Sequence, residues 1–194
     1  MSNATSNSRL GPAAVSGAVA GAVAWVLGYA VTYLAASERV QDALTDLNAF
    51  VGLVGGNEVP TWKAVGWLYL NAHMVSVRVL GAPGGPRTYD LLAESESGNA
   101  ALLYLVPPLA ILLVTAAAMW LVGVRDLVSG AIGGASAVVG YGVVTAAVAI
   151  VSRHALGAGI EAFSPLPNAV VLAGVVYPVV CGSVAGALVG LVRS

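Results

Sequence analysis

Four long stretches of this chain carry no charged residue: 28 positions between Arg9 and Glu38, 28 between Glu96 and Arg125, 26 between Asp126 and Arg153, and 31 between Glu161 and Arg193. A helix needs about 20 predominantly apolar residues to cross the hydrocarbon core of a bilayer, so each stretch is long enough by itself. A membrane barrel would instead show strands of about 10 residues with alternating polarity, and these runs are continuous. In hydrocarbon the need to satisfy every backbone group internally outweighs the strand preference of the many valines. The pattern therefore predicts an all-α, polytopic helical membrane protein. It has four transmembrane helices plus a surface or partly buried helical insertion, with five transmembrane helices as the alternative.

The segments between the runs organise the chain. Residues 1–9 are polar and read as a disordered N-terminus, with Asn3-Ala4-Thr5 a formal glycosylation sequon if that end is exported. Residues 10–36 form the first transmembrane helix, starting near Pro12. Its apolar stretch is too long for a signal-peptide core and lacks a good cleavage signal, so it reads as a retained span. Residues 37–100 are the insertion. Within it, Val40, Ala43, Leu44, Leu47, Phe50 and Val51 recur at steps of three and four while Arg39, Asp42, Thr45 and Asp46 lie away from them. That is an amphipathic helix over 37–54, packed against the protein itself or lying on the membrane surface. Gly55-Gly56-Asn57 ends it.

Residues 62–80 are ambiguous. They are apolar around much of a helix circumference, yet Lys63 and Arg78 are separated by only 14 residues, about 21 Å of helix. They form either a fifth span or a helix buried in a layer outside the membrane. The second fits better, because Asn71 and His73 would otherwise lie near mid-bilayer. Residues 81–86 are a loop rich in Gly and Pro. Residues 101–194 make a three-helix transmembrane unit: Asn99 is placed to cap its first helix, and Pro107-Pro108 either kinks that helix or marks its start. Trp120 suits an interfacial position, Arg125-Asp126 makes a tight hairpin, and residues 153–168 form a loop before the last span.

Composition narrows the function classes. Only 9% of residues are charged, against roughly a quarter in soluble domains. The net charge of −1 gives no electrostatic case for nucleic acid. A single cysteine, Cys181, excludes an intrachain disulfide, and neither it nor the two separated histidines match a metal-binding pattern. No phosphate or dinucleotide fingerprint occurs. No cofactor is expected, and the expected partners are the lipid bilayer together with further copies of the chain or other membrane subunits.

Two sets of residues stand out. Small residues recur on single faces: Gly17, Gly21 and Gly28 in the first span, Gly130 and Gly134 in the third, and Gly174, Pro178, Gly182, Gly186 and Gly190 every four residues in the last. Such rows let helix backbones approach closely. Pro178 also predicts a bend in mid-span. The polar candidates are Tyr69, Asn71, His73 and Arg78 in the insertion, with Tyr141 and Tyr177 deep in their spans, where their hydroxyls need acceptors. On a continuous helix Asn71 and Arg78 share a face and His73 points nearly opposite. Short-loop positives favour both termini on the cytoplasmic side.

The Ala/Val/Gly-rich spans, the acidic bias outside them and the stretch WKAVGWLYLNAHMV at 62–75 resemble the small, uncharacterised multi-pass membrane proteins of halophilic archaea. That resemblance implies a cell-membrane protein and carries no catalytic residues. The expected function is a non-enzymatic assembly or accessory component acting through small-residue helix packing. The alternative is a small oligomeric transporter or channel with a path near the kinked last helix.

Overall fold

The computed structural model describes residues 3–53, 55–95 and 98–194, with side chains from residue 11 onward. Four of its helical stretches are long and apolar enough to cross a membrane: Gly11–Leu53, Ala100–Val122, Leu127–Val151 and Leu166–Val192.

Helix α1, Asn3–Leu53, is unbroken over 51 residues, about 77 Å at 1.5 Å per residue. The polar residues 3–9, expected as a disordered tail, belong to it; Met1 and Ser2 lie outside the described residues. The amphipathic helix expected over 37–54 is its continuation up to Leu53, because Ala35-Ala36-Ser37-Glu38 contains no residue that stops helix propagation. About the last third of α1, from Ala36 to Leu53, therefore projects beyond the bundle as an overhang. It ends at Gly55, whose φ of +71° is one that glycine adopts without strain, and Gly56 N–H donates to the Val51 carbonyl at 2.8 Å.

Helix α2, Thr61–Asn71, has eight consecutive buried residues, from Ala64 to Asn71. A helix buried on every side lies within the protein. It stops when the chain turns back through Met74, with φ +63°, into strand β1. Residues 62–80 are thus neither a fifth span nor one helix, since 11 residues reach only about 16 Å.

The segments read as loops build a small sheet. β1 (Val77–Leu80), β2 (Arg87–Tyr89), β3 (His154–Gly157) and β4 (Ile160–Phe163) pair antiparallel in the order β2-β1-β4-β3, with Val79 opposite Ala162. The β3–β4 turn uses positive φ at Gly157, Ala158 and Gly159. Asn57 lies along β3, its N–H donating to Leu156 O and its amide to Ala155 O, both at 3.1 Å, which covers part of that edge.

A 3-10 segment, Ala100–Leu105, leads into α3, Val106–Val122; Asn99 makes no side-chain cap. Pro107-Pro108 occupies the first turn of α3, where missing N–H groups cost nothing, so it marks a start rather than a kink. After Gly123, the Asp126 carboxylate accepts from Ser129 N–H at 2.8 Å and opens α4, Leu127–Ala135. The third span breaks at Ser136, whose Oγ lies 2.7 Å from Ala14 O and 2.6 Å from Gly133 O, before α5, Ala137–Val151. The last span combines α6 (Leu166–Asn168), a π-helical segment (Ala169–Val176) and α7 (Tyr177–Val192). Pro178 follows the π turns, whose wider winding makes room for a ring that would otherwise meet the Gly174 carbonyl.

The glycine rows face other backbones of the same chain. On the α4–α7 contact, a methyl group at Gly130 would strike the Gly186 carbonyl, and one at Gly134 the Gly182 carbonyl; Gly190 abuts the Asp126 carbonyl. On α1, Gly17 faces Gly133 and Ser136, and Gly21 faces Ala137 and the Tyr141 backbone. Gly174 packs on Gly142 of α5. Ala13, Met119, Val124 and Val189 close the end of the bundle nearest the termini, while Leu70, Val75, Ala149, Ala169 and Ala173 close it below the sheet.

Candidate functional site

Two features are built where α2 enters the bundle. The first is a polar network. Tyr69 and His73, four residues apart, face Tyr141 of α5. His73 Nδ1 lies 2.8 Å from the Tyr69 carbonyl, which can only accept, so Nδ1 carries the proton. Burial holds this imidazole neutral, with its pKa pushed down to about 4, so Nε2 is an acceptor. Tyr141 then donates to Nε2 at 2.7 Å, and Tyr69 donates to Tyr141 at 2.9 Å. One carbonyl thereby fixes the direction of every proton in the set.

Aromatic rings enclose this network. Trp25 meets Tyr69 edge-on at 5.2 Å between centroids, and Tyr177 meets His73 at 4.9 Å. Gly28 is the position against which the Tyr69 hydroxyl rests. Trp25 lies about 18 Å along α1 from Ala13, so the network sits between the spans, not in the outer layer expected for His73. The polar candidates divide. Tyr69, His73, Tyr141 and Tyr177 converge; Asn71 accepts from Leu92 N–H at 2.9 Å and ties the following loop to α2; Arg78 lies on the exposed face of β1.

The second feature is a cavity of about 480 Å³ between the α1 overhang, α2, the sheet and the stretch from Leu91 to Leu103. The overhang supplies Ala36, Val40, Ala43, Leu44 and Leu47, the stripe legible in the sequence. Phe50 of that stripe is instead exposed. From α2 come Ala64, Trp67 and Leu68; from one face of the sheet, Val77, Val79, Tyr89, Leu156 and Ala162. Alternation along the strands sends Arg78 and Phe163 to the opposite face. Trp67 is buried, and its indole N–H has no acceptor among the described residues.

Residues 1–193 match the model of a family of unknown function, DUF7978. The chain belongs to the DUF7978 family. No curated protein and no solved structure matches it, so the roles of residues in this member rest on its own geometry. Sequence reasoning singled out the ring-bearing residues of the network but not the cavity, a quarter of whose wall comes from strands of three or four residues. The row Trp25, Tyr29 and Tyr33 at four-residue spacing was a usable signal for the aromatic surround: Trp25 and Tyr29 stack at 5.5 Å, and Tyr29 donates to Trp62 O at 3.0 Å.

Proposed function

We propose that this is a non-enzymatic integral membrane protein, resident in the cell membrane of a halophilic archaeon, that holds one hydrocarbon chain of a membrane lipid beneath the α1 overhang. The observation that carries this reading is the cavity of about 480 Å³ whose mostly apolar walls are drawn from four separate segments, with Arg39, Tyr89 and Ser95 adding polar groups to the lining. Its volume falls within the range of small-molecule sites, which are mostly apolar with few polar groups. It lies where α1 and α3 leave the bundle, so a lipid chain reaches it from the bilayer edge. The setting is supported by the Ala/Val/Gly-rich spans and the stretch at 62–75.

An assembly role through glycine faces is less favoured, since those faces meet backbones of the same chain. A transport path along the last helix is less favoured too, since the His73, Tyr141 and Tyr177 rings pack together there. The test is fluorescence of the detergent-solubilised protein titrated with a brominated long-chain alcohol, a quencher that reaches Trp67 only inside the cavity. Saturable quenching is expected, and Trp67→Phe or Ala43→Phe removes the saturable part. Equal quenching in all three proteins would mean simple partition into the micelle and would overturn the proposal.

A further inference from the structure

The sheet has a second face, and it carries different chemistry. Arg78 of β1 stands opposite Phe163 of β4 in register. Together with Arg153, Ser164 and Asn168 they wall a separate pocket of about 380 Å³, at the end of α5 and the start of the last span. The Arg153 guanidinium lies on the Phe163 ring, 4.7 Å from its centre. It gives two hydrogen bonds to Glu161, from Nε at 3.0 Å and Nη2 at 3.2 Å. A guanidinium has five N–H donors, so three remain for another acceptor. Arg78 is exposed and has no ion-pair or hydrogen-bond acceptor among the described residues. Ser164 is 2% exposed, and its hydroxyl has no partner among the described residues.

We infer that this pocket binds a phosphate group, and that the phosphate is the headgroup of an anionic lipid. With Glu161 counted against Arg153, the pocket keeps one positive charge in a protein whose net charge is −1. Two guanidiniums, an orphaned hydroxyl and the Asn168 amide are donors suited to phosphate oxygens, and arginine is the side chain best shaped for them. The pocket floor includes Ile150 and Leu166, both exposed apolar residues at span ends. A lipid seated there would put its headgroup against the arginines and its chains along the spans. This site is independent of the apolar cavity, from which the sheet separates it.

The test uses the full chain in detergent, with retained lipid counted by native mass spectrometry after exposure to phosphatidylglycerol or phosphatidylcholine. Wild type is expected to retain phosphatidylglycerol in preference. Arg78→Gln is expected to lower that retention about fivefold, the factor equivalent to about 1 kcal/mol for one basic residue near an anionic surface. Arg78→Glu is expected to lower it further, and Ser164→Ala to lower it with no charge changed; retention of phosphatidylcholine stays level throughout. Because the Arg78 side chain has no partner to lose among the described residues, its variants are expected to retain the fold, verified by an unchanged melting temperature. Millimolar inorganic phosphate leaves the lipid bound if the headgroup is the ligand. Displacement of the lipid by phosphate alone would reassign the site to the free anion, and equal loss of both lipids in Arg78→Glu would overturn the assignment to an anionic lipid, since phosphatidylcholine carries the same phosphate.

Discussion

The Tyr141 hydroxyl is the one group of the buried network that both donates and accepts within it. Replacing it by Phe strands two groups, the Tyr69 hydroxyl and His73 Nε2, and a buried polar group left unpaired costs about 1–3 kcal/mol. Tyr69→Phe removes only the first donor of the chain and is expected to cost about 1 kcal/mol. Thermal unfolding in detergent is therefore expected to rank Tyr141→Phe well below Tyr69→Phe, and equal losses would contradict the proton assignment. His73, in the turn after α2 and on none of the four spanning helices, gives a pH signature. Its folded-state pKa, about 4, lies below the ordinary 6.5, so the unfolded chain binds the proton more readily. Stability from this group is complete above about pH 6.5, falls as the pH drops toward 4, and changes no further below that. His73→Gln is expected to flatten the melting temperature over that window; an unchanged acid slope would mean that other groups produce it.

The same substitution has opposite signs at two helical glycines. At Gly134 an added methyl meets the Gly182 carbonyl, a backbone atom that moves only if α4 and α7 separate. Overpacking of this kind costs about 1–3 kcal/mol, so Gly134→Ala is expected to lower the melting temperature. Gly52 lies in α1 with open space around it, and there alanine is expected to stabilise by up to about 1 kcal/mol through helix propensity; loss of stability there would mean that the overhang is packed against something. The spans and glycine faces were legible because a long apolar run and a repeated small residue are local signals that tertiary context seldom overrides. The sheet was not, for it joins two segments more than 70 residues apart through strands of three and four residues, too short to show alternation. The turn at Gly157-Ala158-Gly159 was its best local sign. The polar cluster was half legible: Tyr69 and His73 share a helix face in sequence, while the end of α2 at Asn71, which sends Arg78 away from them, depends on pairing with β4.

The sheet also decides how the whole molecule lies across a bilayer. Because β1 pairs with β4 of the hairpin that joins the third and fourth spans, the insertion and that hairpin share one end of the bundle, and both chain termini lie at the other. The charges are divided accordingly. Arg9, Arg125 and Arg193 stand against Asp126 at the terminal end, while the other acidic residues among the described ones belong to the sheet end or the α1 overhang. By the positive-inside bias, the excess of arginine over short connections predicts that the terminal end faces the cytoplasm. With Cys181 replaced by alanine, single cysteines at Glu58, Gly98 and Ser194 test this in intact cells. A membrane-impermeant maleimide is expected to label Glu58→Cys and Gly98→Cys directly, and Ser194→Cys only after permeabilisation. Labelling of positions 58 and 98 from opposite sides would require a crossing between them, which the turn at Met74 and the β1–β4 pairing do not allow. Labelling of all three in the reverse order would keep the fold and invert its orientation, putting Arg78 and Arg153 on the cytoplasmic side.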